Sequence, residues 1–167
     1  MGTLKLGSET GSFFNHLMSN SPALPNVKVG ATKLHWTDRT AYFVLSVSED
    51  KKQCKIQRAK AIRADKSGMS ECQDYRYEKD PNNPVIELVY RYNNWYEKFE
   101  GVDYTKSFEK KLNQGLVSEE ERKSCFGFDE DGYSFLKEVQ GKTERKARYS
   151  KISIDFSGMN EYYDFSF

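Results

Sequence analysis

The chain has 167 residues, with 26 basic against 25 acidic side chains and a formal net charge of +1. That balance excludes a strongly basic nucleic-acid binder and an acidic mimic of DNA, although either sign can be concentrated locally. The length fits one domain, and a chain of this size buries enough surface to be stable without staples. Only 37% of the residues are apolar and the mean hydropathy is −0.82, but 11 Tyr, 11 Phe and 2 Trp compensate. Each ring buries roughly 150–250 Å², and so many rings exceed the needs of one small core. Some are therefore expected on the surface as contact residues.

Three cysteines, Cys54, Cys72 and Cys125, are too few and too scattered for a disulfide framework, and an odd number suits a reducing compartment. The opening MGTLKLGSETGS has no apolar stretch of signal-peptide length, and the Ser that follows Met1-Gly2 is at position 8, whereas a myristoylation signal wants Ser or Thr at position 6. No run reaches the roughly 20 apolar residues of a membrane span. The expectation is a soluble cytoplasmic protein with no membrane partner.

Residues 9–19, ETGSFFNHLMS, have Phe13, Phe14, Leu17 and Met18 at helical spacing, with Ser12 placed to cap. Pro22 and Pro25 break the following linker, so residues 1–26 read as a helix and tether that docks on the main domain or on another subunit. Residues 27–167 read as one β-rich domain. Its candidate strands are 28–36, 41–48, 53–63, 70–78 and 85–92, separated by the polar turns SEDKKQ, DKSGMS and KDPNNP. In the second, Ala41, Phe43, Leu45 and Val47 alternate with Tyr42, Val44, Ser46 and Ser48. In the third, Cys54 and Ile56 point one way and Lys55 and Gln57 the other.

DYTKSFEKKLNQG predicts a helix ending near Gly115, and LVSEEERKSCF a second with Ser118 and Glu121 in capping-box spacing, giving a helical insertion at about 103–126. A turn at Asp131-Gly132 follows. The last strand is 149–157, with Ile152, Ile154 and Phe156 inward and Ser153 and Asp155 outward. The fold class is α+β and mainly antiparallel β: a meander closing as a small SH3-like or OB-like barrel, with a short N-terminal helix and a helical insertion. Tyr162, Tyr163, Phe165 and Phe167 crowd the C-terminus, and are expected to dock into the core or across an interface. That segment and the N-terminal helix are the surfaces through which copies of the chain would associate.

Chemical motifs are sparse. His16, His35 and the cysteines lack metal-ligand spacing. Asp129, Asp131 and Gly132 begin a calcium-loop pattern that does not continue in register. Cys125 has no catalytic surroundings in sequence and reads as a small buried hydrophobe. No nucleophile elbow, phosphate loop or dinucleotide fingerprint occurs, so no cofactor is expected and catalysis is unsupported.

Binding is better represented. In Trp36-Thr37-Asp38-Arg39, between two strands, the Trp ring offers a stacking face and the Arg a planar fork for phosphate or carboxylate. The strand KIQRAKAIRAD adds Gln57, Lys60, Arg63 and Asp65, with a bulge expected at about 58–60. The segment GMSECQDYRY adds Ser70, Glu71 and Gln73. An aromatic knot beside a basic strand suits a nucleotide or single-stranded nucleic acid; a solvated edge strand guarded by Lys and Arg is the structural alternative.

VGATKLHWTDRTAYFVLSVSEDKKQCKIQRAKAIRAD, SGMSECQDYRY, EYYDFSF and the opening SFFNHLMS resemble a family of small proteins encoded by bacteriophages and prophages. The likeness covers about half the chain and departs over 103–126. It implies a viral or mobile-element origin and brings no activity with it. Its signature falls on Trp36, Asp38, Arg39, Gln57, Lys60, Arg63, Asp65, Ser70, Glu71 and Gln73. Three functions remain open. The first is a non-catalytic counter-defence protein that inhibits a CRISPR nuclease-like effector or sequesters a signalling nucleotide. In the sequestering version Arg39, Lys60 and Arg63 hold phosphates while Trp36 stacks on a base. The second is a nucleic-acid-binding barrel in phage replication or expression. The third is a nucleotide-acting enzyme with His35 and Asp38 as acid–base candidates.

Overall fold

A computed structural model of the chain describes residues 12–68 and 72–165. Ser70, Glu71 and Phe167 of the sequence reading lie outside the described residues. The elements are α1 (Phe13–Ser19), β1 (Ala31–Leu34), β2 (Arg39–Val47), β3 (Gln53–Arg63), β4 (Tyr75–Lys79), β5 (Val85–Arg91) and β6 (Asn94–Tyr104). They continue as α2 (Lys106–Asn113), α3 (Glu119–Lys123), β7 (Phe126–Phe128), β8 (Ser134–Leu136), β9 (Thr143–Ile152) and β10 (Ile154–Asp155). The chain divides into two compact units, one running up to Lys98 and resuming at Tyr149, the other Phe99–Arg148. The second unit is therefore wider than the helical insertion read from the sequence, and holds both its helices.

In the first unit the strands lie in the order β10-β1-β2-β3-β5-β6, with β4 also paired to β3, and these neighbours pair antiparallel. The order is an open path rather than a ring, so the expected closed barrel is not formed. The core joins Ala31, Tyr42, Val44, Cys54, Ile56, Leu88, Ile154 and Phe156. In β2 Thr40, Ala41, Tyr42 and Val44 are buried, while Leu45 is exposed. The register slips between Val44 and Ser46, and this extra residue returns Val47 to the core side by shifting its parity. The slip thus sits on β2 rather than at 58–60. β3 pairs with β5 over Gln53–Gln57 and with β4 over Ala59–Arg63. Asp155, expected to face outward, is buried, its carboxylate accepting bonds from the Ser157 amide and hydroxyl.

Helix α1 forms where the spacing predicts it, capped by Ser12, but its buried face is the reverse of the expected one. Phe13, Phe14 and Leu17 are exposed, whereas Asn15 and His16 are buried. In the second unit, Thr105 and Ser118 cap α2 and α3, and Gly115 takes a φ of 68° just beyond α2, as a left-handed helix end requires. Phe108 is buried, 5.4 Å from the Tyr104 ring. β7 and β8 form a hairpin around Gly132, whose φ is 85°.

Candidate functional site

The Trp36–Arg39 knot turns out to be a receptor for the chain's own C-terminal segment. The pairing of β2 with β3 stops at Tyr42 and Arg58, although β2 starts three residues earlier and β3 runs on to Arg63. Residues 161–164 meet the unpaired edge. Arg39 and Tyr162 exchange two backbone hydrogen bonds, of 2.9 and 3.1 Å. The Glu161 carboxylate accepts the Ala41 amide at 2.7 Å, and Asp38 Oδ1 accepts the Asp164 amide at 2.7 Å. On the other side Gln73 behaves as a one-residue strand. Its Nε2 donates to the Tyr163 carbonyl at 2.6 Å and its Oε1 accepts the Tyr163 amide at 3.0 Å. The Glu161 amide donates to the Tyr77 hydroxyl at 2.9 Å.

The Arg39 guanidinium carbon lies 4.8 Å from the Phe14 ring centroid and 4.4 Å from that of Tyr162. The cation is thus held between α1 and the C-terminal segment, an arrangement worth about 0.5–2 kcal/mol per ring. Burial lowers the guanidinium pKa from its ordinary value, and the neighbouring Tyr162 opposes that. The hollow in front of Arg39 is lined by Ser12, Phe14, Thr37, Tyr162 and Asp164. Asn15 completes the knot from α1. Its Nδ2 lies 3.3, 3.1 and 3.2 Å from the carbonyls of His35, Thr37 and Asp38. Trp36 projects from this assembly, 61% exposed.

The remaining signature residues divide in the same way. Arg63 donates two bonds to Asp65, of 2.6 and 3.1 Å, and stands over the Tyr75 and Phe165 rings. Asp65 also accepts the amides of Ser67 and Asp74. The Arg63 bond, followed by these amide bonds, holds its carboxyl well below the usual carboxylate range. Gln57 donates to the Asn83 carbonyl at 2.7 Å. Lys60 is exposed and opposite Glu78 in the β3–β4 ladder. Of the three residues expected to grip phosphates, Arg39 and Arg63 thus stand over the Tyr162 and Phe165 rings, and Lys60 is exposed.

The acid–base candidates have other partners. His35 Nε2 is 2.8 Å from Thr40 Oγ1, and burial, then the Lys33 charge, lower its pKa. Burial pushes the Cys54 thiol up to about 12, and Cys125 is fully buried. Among the described residues no group of His, Cys, Asp and Glu is gathered to hold a metal, and no helix is long and apolar enough to cross a membrane.

Two surfaces escaped the sequence reading. In the first unit a cleft of about 590 Å³ is lined by His16, Lys51, Lys52, Tyr90, Trp95 and Lys151, among others. Its sequence signals are the Lys51-Lys52 pair, read as part of a polar hairpin turn, and Trp95 directly after Asn93-Asn94, beyond the candidate strand 85–92. In the second unit the β7–β8 hairpin exposes Phe128 and Tyr133 at 73% each, and Phe135 at 50%. Gly127 lets this hairpin lay the Phe135 ring on its own backbone, since a Cβ there would stand 2.7 Å from the ring. From 118 to 131 the sequence holds Glu119, Glu120, Glu121, Asp129, Glu130 and Asp131 against Arg122 and Lys123; Glu119 pairs with Lys123, and Glu121 with Lys142 from outside the run. Comparison with protein-family models, with curated proteins and with solved structures finds no match to this chain.

Proposed function

We propose that the protein is a non-catalytic phage counter-defence protein that docks on a bacterial immune effector, of the CRISPR nuclease kind, and blocks its nucleic-acid-binding surface. The observation that carries this reading is the β7–β8 hairpin, whose Phe128 and Tyr133 are largely exposed beside the acidic run of 118–131. Aromatic anchors supply most of the energy of protein interfaces, and a flanking acidic surface steers them toward a basic groove. The bacteriophage resemblance supports the setting, and the overlap of this acidic–aromatic surface with the stretch where the resemblance fails suits a contact particular to this chain. Sequestration of a nucleotide at the knot is the weaker version, since Arg39 and Arg63 are engaged internally. On this reading the open antiparallel sheet is a relative of SH3-like or OB-like barrels, with the β2 slip as the bend such sheets use.

The test is phage plating on a CRISPR-armed host that expresses the protein. Wild type is expected to restore plaques, and Phe128→Ser with Tyr133→Ser to abolish that protection at unchanged thermal stability. Full protection by the double variant would sink the reading.

A further inference from the structure

We propose that the cleft of the first unit is a nucleotide-binding site, with Trp95 under the base and Lys51, Lys52 and Lys151 on the phosphates. Its volume, about 590 Å³, lies within the roughly 300–1,000 Å³ of small-molecule sites. Four parts of the chain meet there: the end of α1, the β2–β3 turn, the β5–β6 hairpin and the β9–β10 junction.

The aromatic wall is rigid. Trp95 packs against the buried Phe156 edge-on, with centroids 5.1 Å apart, and against Tyr90 at 5.3 Å. A ring so braced presents a flat surface at little entropic cost, which is what stacking of a base needs. The cations come from two separate segments: Lys51 and Lys52 from the β2–β3 turn, Lys151 from the end of β9. Asp50 also lines the cleft, but its carboxylate is bonded to the Ser48 hydroxyl at 2.6 Å and the Lys52 amide at 3.0 Å. It shapes the turn, and the neighbouring Lys52 charge acts on it as well.

His16 points to a ligand independently. It lines the cleft, is only 9% exposed, and its Nε2 has no hydrogen-bond partner. An unsatisfied buried polar atom costs about 1–3 kcal/mol, and the edge of a base supplies the donor or acceptor that would satisfy it. Both bordering turns are also held in left-handed backbone, with φ of 55° at Lys51, 49° at Tyr92 and 60° at Asn93. At Tyr92 and Asn93 this is the conformation that a two-residue hairpin loop requires of both its central residues. A flat stacking wall, an orphaned imidazole and phosphate-binding cations together describe a nucleotide better than an acidic peptide, which needs no stacking wall.

The cleft shares no residue with the aromatic hairpin, so the two readings fail separately. The test is a titration of the full chain with ATP, GTP, CTP and UTP, without divalent cation. The readout is the indole N–H resonance of Trp95, with that of Trp36 as internal control. Tripolyphosphate and the parent nucleosides are the half-ligands. At least one nucleotide is expected to shift Trp95 and leave Trp36 in place, and to bind about tenfold or more tightly than either half-ligand. Lys51→Gln with Lys52→Gln should weaken binding by about tenfold at unchanged thermal stability, and Lys151→Gln should weaken it from the other side. The proposal is overturned if no nucleotide shifts Trp95, if tripolyphosphate binds as tightly, or if the lysine variants keep full affinity. It is equally overturned if the response appears at Trp36.

Discussion

Removing the Asn15 amide would leave the carbonyls of His35, Thr37 and Asp38 without the donor that gathers them. Asn15→Ala should therefore cost about 1–3 kcal/mol, and Asn15→Asp more, since a carboxylate donates nothing and is repelled by three carbonyl dipoles. Leu17→Ser, at a position 47% exposed, should cost under about 0.5 kcal/mol. Urea unfolding of the three variants checks this, and the opposite ranking would show that α1 is held by its apolar face. The sequence could not supply that ranking. Helical spacing locates a face, but the knot Asn15 serves lies some twenty residues away. Asp38, Arg39 and Gln73 were legible as polar residues unneeded by a sheet. What they bind was not, because a receptor for residues 161–164 has the same composition as a receptor for a ligand.

Glu161 carries the pH signature of that receptor. Burial raises its carboxyl pKa, opposed by the Ala41 amide and by Arg58, whose guanidinium is 3.7 Å away. A carboxyl with a raised folded-state pKa binds protons more readily folded than unfolded, so its contribution to stability falls as pH rises from the unfolded value, about 4.3, through the folded one. Glu161→Gln keeps an acceptor for Ala41 and removes the titration. The stability of the variant relative to wild type should rise with pH through that window. A difference that stays constant from pH 4 to pH 7 would rule the assignment out.

At the scale of elements, the C-terminal segment acts as a strand supplied from far along the chain. Deleting residues 160–167 should bare the edge of β2 that β3 leaves unpaired. The Arg39 and Ala41 amides, now bonded to Tyr162 and Glu161, should exchange with solvent about tenfold faster or more, while the Phe43 amide, on the same edge and opposite Gln57 of β3, keeps its protection. Unchanged exchange at Arg39 and Ala41 would mean that the segment only decorates the sheet. Clean alternation made β3 and β5 legible to within a residue. β6 was missed because NNWYEKFEGVDY mixes turn residues with charges, and its last residues read as the start of α2. β2 was legible as a strand, but its slip after Val44 was not, since the extra residue is an ordinary leucine.

For the molecule as a whole, the two units differ in how much apolar surface they close away from water. The first has a contiguous core of eight buried residues. In the second, among the described residues, only Phe108 and Cys125 are buried hydrophobics, helped by Thr143, whose hydroxyl donates to the Lys137 carbonyl and accepts the Val139 amide. Hydrophobic burial at about 25 cal/mol per Å² therefore favours order in the second unit far less, and that unit should open at a lower free energy than global unfolding. In hydrogen exchange at low urea, the amides of α2 and the β7–β8 hairpin should exchange through one shared opening while those of β3 and β5 await global unfolding. Phe108→Ala should accelerate the first group and leave the second unchanged. A single opening energy for all of them would mean one cooperative body. A hairpin on a readily opened unit can adjust its aromatic anchors to a partner, at the cost of ordering them on binding, whereas the cleft, built on the stiffer unit, meets its ligand already shaped.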